Sequence, residues 1–146
     1  MDKLNLPSYA YKISESDNKT YIFDPIRKKN LVLTPEEWVR QHFINLLVTH
    51  YQYPKTLIRL EGGLRYNKMA KRSDIEVFDT NGNPFLLVEC KATFVEINQK
   101  VIEQASIYNK TIKAPYLCVT NGLRTFCFAV NQETEKIEQL KDLPKF

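Results

Sequence analysis

Three cysteines and two histidines are all that this 146-residue chain could offer a soft metal or a disulfide framework, and neither set is arranged for one. Cys90, Cys118 and Cys127 are odd in number, form no C-x-x-C pair and all fall in predicted strands, so they read as core residues of a reducing, cytoplasmic compartment. His42 and His50 share one predicted helix without ligand spacing, which points to packing or surface roles. No apolar run approaches ~18 residues, and the amino terminus MDKLNLPSYA lacks the apolar segment of a secretory signal. Repeats, low-complexity stretches and linkers are also missing. The expectation is one domain over 1–146, with residues 1–30 as an amino-terminal hairpin extension and 131–146 as a tail. A hydrophobic content of 43% is ample for a core, and a net charge of +4 permits an anionic partner without demanding one.

What the chain does have is concentrated in Arg72–Lys91. Residues 74–78 (DIEVF) and 85–90 (FLLVEC) are β-branched or apolar runs, separated by a segment whose Asn81-Gly82 pair is the strongest short hairpin signal. With those two residues at the centre of a two-residue turn, Asp74 falls opposite Glu89. Directly opposed residues stand roughly 4.5–5.5 Å apart at Cβ, a destabilising position for like charges. Alternation puts Lys91 on the face of Glu89, and Ile75, Val77, Leu86, Val88 and Cys90 on the other. The cluster is either a solvated surface patch or a cation site, since Mg²⁺ takes carboxylate oxygens and keeps waters that can become nucleophiles. The run Leu86-Leu87-Val88 suits a strand covered on both faces and favours the second reading, metal-assisted phosphodiester hydrolysis.

Around this hairpin, residues 9–13 and 20–23 predict an amino-terminal hairpin ended by Asp24-Pro25. Thr34-Pro35-Glu36-Glu37 opens a helix of about 34–50, with Thr as cap, Pro first and Glu three after the cap. On a wheel of about 100° per residue, Glu36 falls among Val39, Phe43, Leu46 and Leu47, and Glu37 lies to the side with a capping role. Glu36 is therefore the candidate inward carboxylate, unless it only pairs with Arg40 one turn on. Residues 56–61 predict a strand, 64–71 a basic loop, and 98–110 a helix capped by Asn98. Val101, Ala105 and Tyr108 form that helix's buried side, with Gln104 beside them, where it must find partners or reach water. Residues 116–120, an Asn121-Gly122 turn and 124–130 make another hairpin, and 136–140 is a last strand or a frayed tail. The order ββ–α–βββ–α–ββ describes an α/β sandwich whose mixed central sheet is flanked by helices. Basic residues gather at Arg27, Lys28 and Lys29 and at Arg65, Lys68, Lys71 and Arg72, as solvated loops or as phosphate contacts.

Together these residues bring a family into view. Ser73-Asp74 followed by Glu89-Cys90-Lys91 resembles the D…E-x-K core of the restriction-endonuclease-like nucleases, and Gln104-x-x-x-Tyr108 looks like the Q-x-x-x-Y element of their RecB-like branch. Thr34–Leu47, the hairpin and Pro115–Gly122 are similar to the amino-terminal nuclease domain of type I restriction enzyme R subunits, including stand-alone versions. The resemblance implies a restriction-endonuclease-like fold and a Mg²⁺ (or Mn²⁺) ion held by Asp74, Glu89 and the Cys90 carbonyl. It implies Lys91 at the attacking water, Glu36 or Glu37 as the helix carboxylate, and Gln104 and Tyr108 positioning the lysine or the DNA backbone. DNA is the implied partner, with a second copy or a separate motor or specificity protein besides. A catalytically silent nucleic-acid-binding or interaction module with the same fold is the alternative. The chain carries no helicase motor, so ATP-driven translocation is not inherited.

Overall fold

The computed structural model describes residues 1–60 and 74–146. Glu61, the basic residues Arg65, Lys68, Lys71 and Arg72, and Ser73 lie outside the described residues. Three strands come first: β1 (Ile13–Ser16), β2 (Lys19–Asp24) and β3 (Lys29–Val32), an antiparallel sheet in that order. The expected hairpin is present, but its first strand begins at Ile13, and Asp17 and Asn18 make the turn with φ of 51° and 64°. Mirror-type two-residue turns need positive φ at both central positions, which Asp and Asn tolerate. Asp24-Pro25 does not end the sheet. The Asp24 carboxylate accepts from the amides of Ile26 and Arg27 and reverses the chain into β3, a strand the sequence reading lacked.

Helix α1 (Pro35–Asn45) follows, capped by Thr34 Oγ1 accepting from Glu37 N at 3.0 Å, and runs on through a π-helical turn over Leu46–His50. The second sheet has the order β4 (Ile58–Leu60), β5 (Ile75–Phe78), β6 (Pro84–Cys90), β7 (Tyr116–Thr120), β8 (Thr125–Val130), β9 (Ile137–Leu140). Every pairing is antiparallel except β6–β7, whose parallel crossover carries helix α2 (Gln99–Ile112). This is the mixed, helix-flanked sandwich expected of a restriction-endonuclease-like fold.

The two sheet faces hold two cores. Ile75, Val77, Leu86, Val88, Cys90 and Cys118 pack with Val39, Phe43, Ile44 and Leu47 of the α1 segment. Leu87, Leu117 and Val119 pack with Ala105 and Tyr108 of α2. Helix α1 is buried at every position from Glu37 to Ile44, because the amino-terminal arm covers the side turned from the sheet. The Trp38 indole donates to Asp2 O at 2.8 Å, and His42 lies among Trp38, Tyr9 and Tyr11, with ring centroids 4.3, 5.0 and 6.0 Å away. Among the described residues no helix is long and apolar enough to cross a membrane.

Burial lowers the His42 pKa below its ordinary 6.5, outweighing the bond between Nδ1 and Trp38 O. The unfolded chain therefore takes up the proton first, so stability is complete above about pH 6.5 and is lost as pH falls towards the folded-state value. Thermal melts across this range should show Tm dropping on acidification, with a shallower drop in His42→Phe. An unchanged slope in that variant would assign the loss to other groups.

Candidate active site

The register that creates the site is set by two deviations that cancel. The β5–β6 connection is a three-residue loop, not a two-residue turn: Asp79 N donates to Asn83 O at 2.8 Å, Gly82 N donates to Asp79 O at 3.0 Å, and Gly82 has φ of +86°. Left alone, this loop would shift every pair by one from the expected register. A bulge at Phe85 restores it: Phe78 pairs with Pro84, but Val77 pairs with Leu86 and Ile75 with Val88. Continued by one residue, the ladder brings Asp74 opposite Glu89, as the sequence predicts. Phe85 is held in its bulge by ring contacts to Tyr116 (5.2 Å), Phe146 (5.4 Å) and Tyr53 (6.1 Å).

Both carboxylates are buried, Asp74 at 0% and Glu89 at 1% exposure. Glu89 alternates with Leu87, so it lies on the α2 side of the sheet, and Lys91 lies on the same side. Lys91 Nζ sits 3.1 Å from Glu89 Oε2, and its backbone N–H donates to Thr120 O at 2.8 Å. The three residues of the expected core are thus brought together at the carboxyl end of the parallel strands. Among the described residues no group of three or more His, Cys, Asp or Glu side chains gathers as a ready-made metal site. The donor set still suits Mg²⁺, which binds through one or two carboxylates and keeps its remaining positions for water and phosphate.

The helix carboxylate is not where the wheel puts it. Glu36 is half-exposed, whereas Glu37 is buried and holds Arg40 and Gln41. Arg40 Nε donates to Glu37 Oε2 at 2.9 Å, its terminal nitrogen pairs with Oε1, and Gln41 Nε2 donates to Oε2 at 2.7 Å. A wheel with one wet face cannot rank residues on a helix covered all round, and only the amide of Glu37, not its carboxylate, serves the cap. Arg40 is 2% exposed and joins the site through Cys90. Burial raises the Cys90 thiol pKa first, and Arg40 is the largest charge acting on it, opposed by Asp74, Glu89 and Glu37. Four charged groups, from α1, β6 and the residue before β5, therefore converge around one side chain. The sequence reading treated Arg40 as a partner of Glu36; the spacing E-x-x-R-Q starting at Glu37 was the available signal.

Gln104 is exposed on α2, not buried beside Ala105; Asn109 is the helix's buried polar residue, and it brackets the main chain of Ala114 at 2.9 and 3.1 Å. Tyr108 is half-buried in the α2-side core. The Thr120-Asn121-Gly122 turn proves to be a clamp. Thr120 O holds Lys91, Asn121 Nδ2 holds Val95 O at 2.9 Å, and Gly122 O receives Asn5 N of the arm at 2.8 Å.

Two predictions follow from these contacts. Removing one partner of a buried ion pair costs about 3–5 kcal/mol, so urea titration of Arg40→Ala should show a loss of that size; a loss under about 1 kcal/mol would mean that Arg40 is not the counter-charge. Gly122 has φ of +85°, and a Cβ there would meet Leu4 Cδ2 at 2.8 Å and Val39 Cγ2 at 3.1 Å, whereas one on Gly82 meets nothing within 4 Å. Both Gly→Ala variants carry the left-handed backbone cost of about 1–3 kcal/mol. Gly122→Ala should be the less stable, and equal melting temperatures would contradict the packing of Leu4 on the turn.

Compared with known families, residues 35–144 match the model described as type I restriction enzyme R protein N terminus. The match begins at the first residue of α1, after β1–β3. No curated protein matches the chain.

Proposed function

The chain belongs to the type I restriction enzyme R protein N-terminal family, a restriction-enzyme family, and from that premise we propose that it is a metal-dependent endodeoxyribonuclease. The observation that carries this reading is the buried, in-register pair Asp74 and Glu89 with Lys91 at 3.1 Å from Glu89. Asp74, Glu89 and the Cys90 carbonyl are the groups that would hold Mg²⁺ or Mn²⁺. Such an ion, when bound, lowers the pKa of its water and polarises a phosphoryl oxygen.

The chain's own residues supply the rest. An ammonium has three donors, so Lys91 can hold Glu89 with one and turn the others to the attacking water and a non-bridging phosphate oxygen, where negative charge grows. Its backbone bond to Thr120 fixes where that ammonium can reach. Glu37 is saturated by Arg40 and Gln41 and acts as a positioning residue, holding the guanidinium against the carboxylate charge. Gln104, exposed on α2, and Tyr108 are assigned to the DNA backbone beside the lysine.

Plasmid nicking by wild type in Mg²⁺ should cease with a chelator and return when the ion is restored. Lys91→Ala should lower the rate by at least about 10²-fold, the cost of removing one transition-state donor, with the folded state and DNA binding retained. Calorimetric Mn²⁺ titration should show binding to wild type and none to Asp74→Ala. Nicking that survives Lys91→Ala, or that needs no divalent ion, would overturn the assignment.

A further inference from the structure

Among the described residues, Phe94 is the most exposed large apolar side chain, at 78%. Its setting is not a loose loop. Val95 N donates to Ala92 O at 3.0 Å, closing a turn with Thr93 and Phe94 at its centre. Ala92 beneath it is fully buried, Thr93 Oγ1 bonds the Asp2 carboxylate, and Asn121 Nδ2 holds Val95 O at 2.9 Å. The turn is thus tied to the arm on one side and to the β7–β8 connection on the other, with an aromatic ring held out into solvent. A singly exposed apolar side chain is ordinary on a protein surface, but three separate anchors fix the turn that carries this one, and a ring presented on a fixed turn is suited to cover by a partner.

The position narrows what that is. Phe94 lies three residues beyond Lys91, so its Cα is within about 11 Å of that of Lys91. That distance is about three base steps along one DNA strand. An aromatic side chain beside a nucleic-acid strand stacks on bases, and stacking accepts any base because each has a π-face. In intact duplex both faces of every base are already covered by neighbours, and unstacking one costs a few kcal/mol.

Resting on the nuclease reading above, we propose that Phe94 stacks on an unstacked nucleobase within a few nucleotides of the scissile phosphate, and that the preferred substrate is DNA that presents such a base: single-stranded, gapped or mismatched. Phe94 is then the positioning and selectivity residue, while Asp74, Glu89 and Lys91 act at the phosphate.

The test uses oligonucleotides with 2-aminopurine in a gap or mismatch, bound in Ca²⁺ to slow turnover, beside plasmid nicking in Mg²⁺. Wild type should bind gapped or mismatched DNA more tightly than intact duplex and quench the fluorophore. Phe94→Ala and Phe94→Leu should weaken that binding roughly 5- to 150-fold, the range of one lost base stack, abolish the quench and keep the wild-type melting temperature. Phe94→Trp should retain both binding and quench. Wild-type affinity in Phe94→Ala, with plasmid nicking intact, would overturn the stacking proposal, leave the nuclease reading in place and give the ring to a protein partner. Full affinity in Phe94→Leu would also overturn it, since an aliphatic side chain supplies apolarity without a π-face. Failure of wild type both to bind and to nick DNA would remove the nuclease reading, and the proposal with it.

Discussion

Everything at the working end of this protein depends on keeping two carboxylates buried and opposed across one antiparallel strand pair. Opposed like charges destabilise a ladder, and burial raises the cost. The surrounding structure answers with two cations of different kinds. Lys91 is partly exposed, carried on a long flexible stem, and paired to Glu89 on the α2 side of the sheet. Arg40 is deeply buried, locked by Glu37, which Gln41 holds in turn, and acts from behind the sheet. The planar guanidinium suits a permanent counter-charge, and the compact ammonium suits a group that must change partners during a reaction.

This division of labour explains why so much of the chain converges on α1. The helix is the back wall of the site, and the arm with β1–β3 is the wall behind it. Tyr9 shows how close the arm comes: its phenol pKa is raised by burial first and then by the charge of Glu37. Arg27 adds a second tie, donating from the β2–β3 turn to Leu60 O at the end of β4. The segment that precedes the family match therefore keeps water from the helix that carries the site's buried cation.

The sequence announced some of this and concealed the rest for physical reasons. Strand alternation and the apolar run Leu86–Val88 are local signals, and they led to the right strands, faces and opposed carboxylates. The helix start at Thr34-Pro35 was equally local and equally legible. Glu37 was hidden because a helical wheel assumes a wet side, and the cover that removes it comes from residues more than thirty positions upstream, such as Asp2 bonded to Trp38. Strand β3 was hidden because Asp24-Pro25 reads as a breaker unless the Asp24 side chain is known to accept the next amides. Gln104 followed from a pattern that does not say how wide the buried stripe of α2 is. The clamp of Thr120 and Asn121 on residues 91–95 joins segments about thirty residues apart, beyond the reach of any local pattern.

The bulge at Phe85 gives the hydrophobic core a second office. Were it ironed out, the three-residue loop would carry β5 and β6 into the neighbouring register, and one residue of slip turns every side chain to the opposite side of a sheet. Glu89 would then point into the apolar layer against α1, and Leu86 and Val88 would leave it. An off-register isomer of β5 and β6 is thus only one step away in geometry, yet far away in energy, because it must undo the core to exist. The aromatic cluster that seats Phe85 includes Phe146, about sixty residues further along the sequence. Fidelity of the site is proofread by packing, and the proofreading is complete only once Phe146 has closed on the bulge.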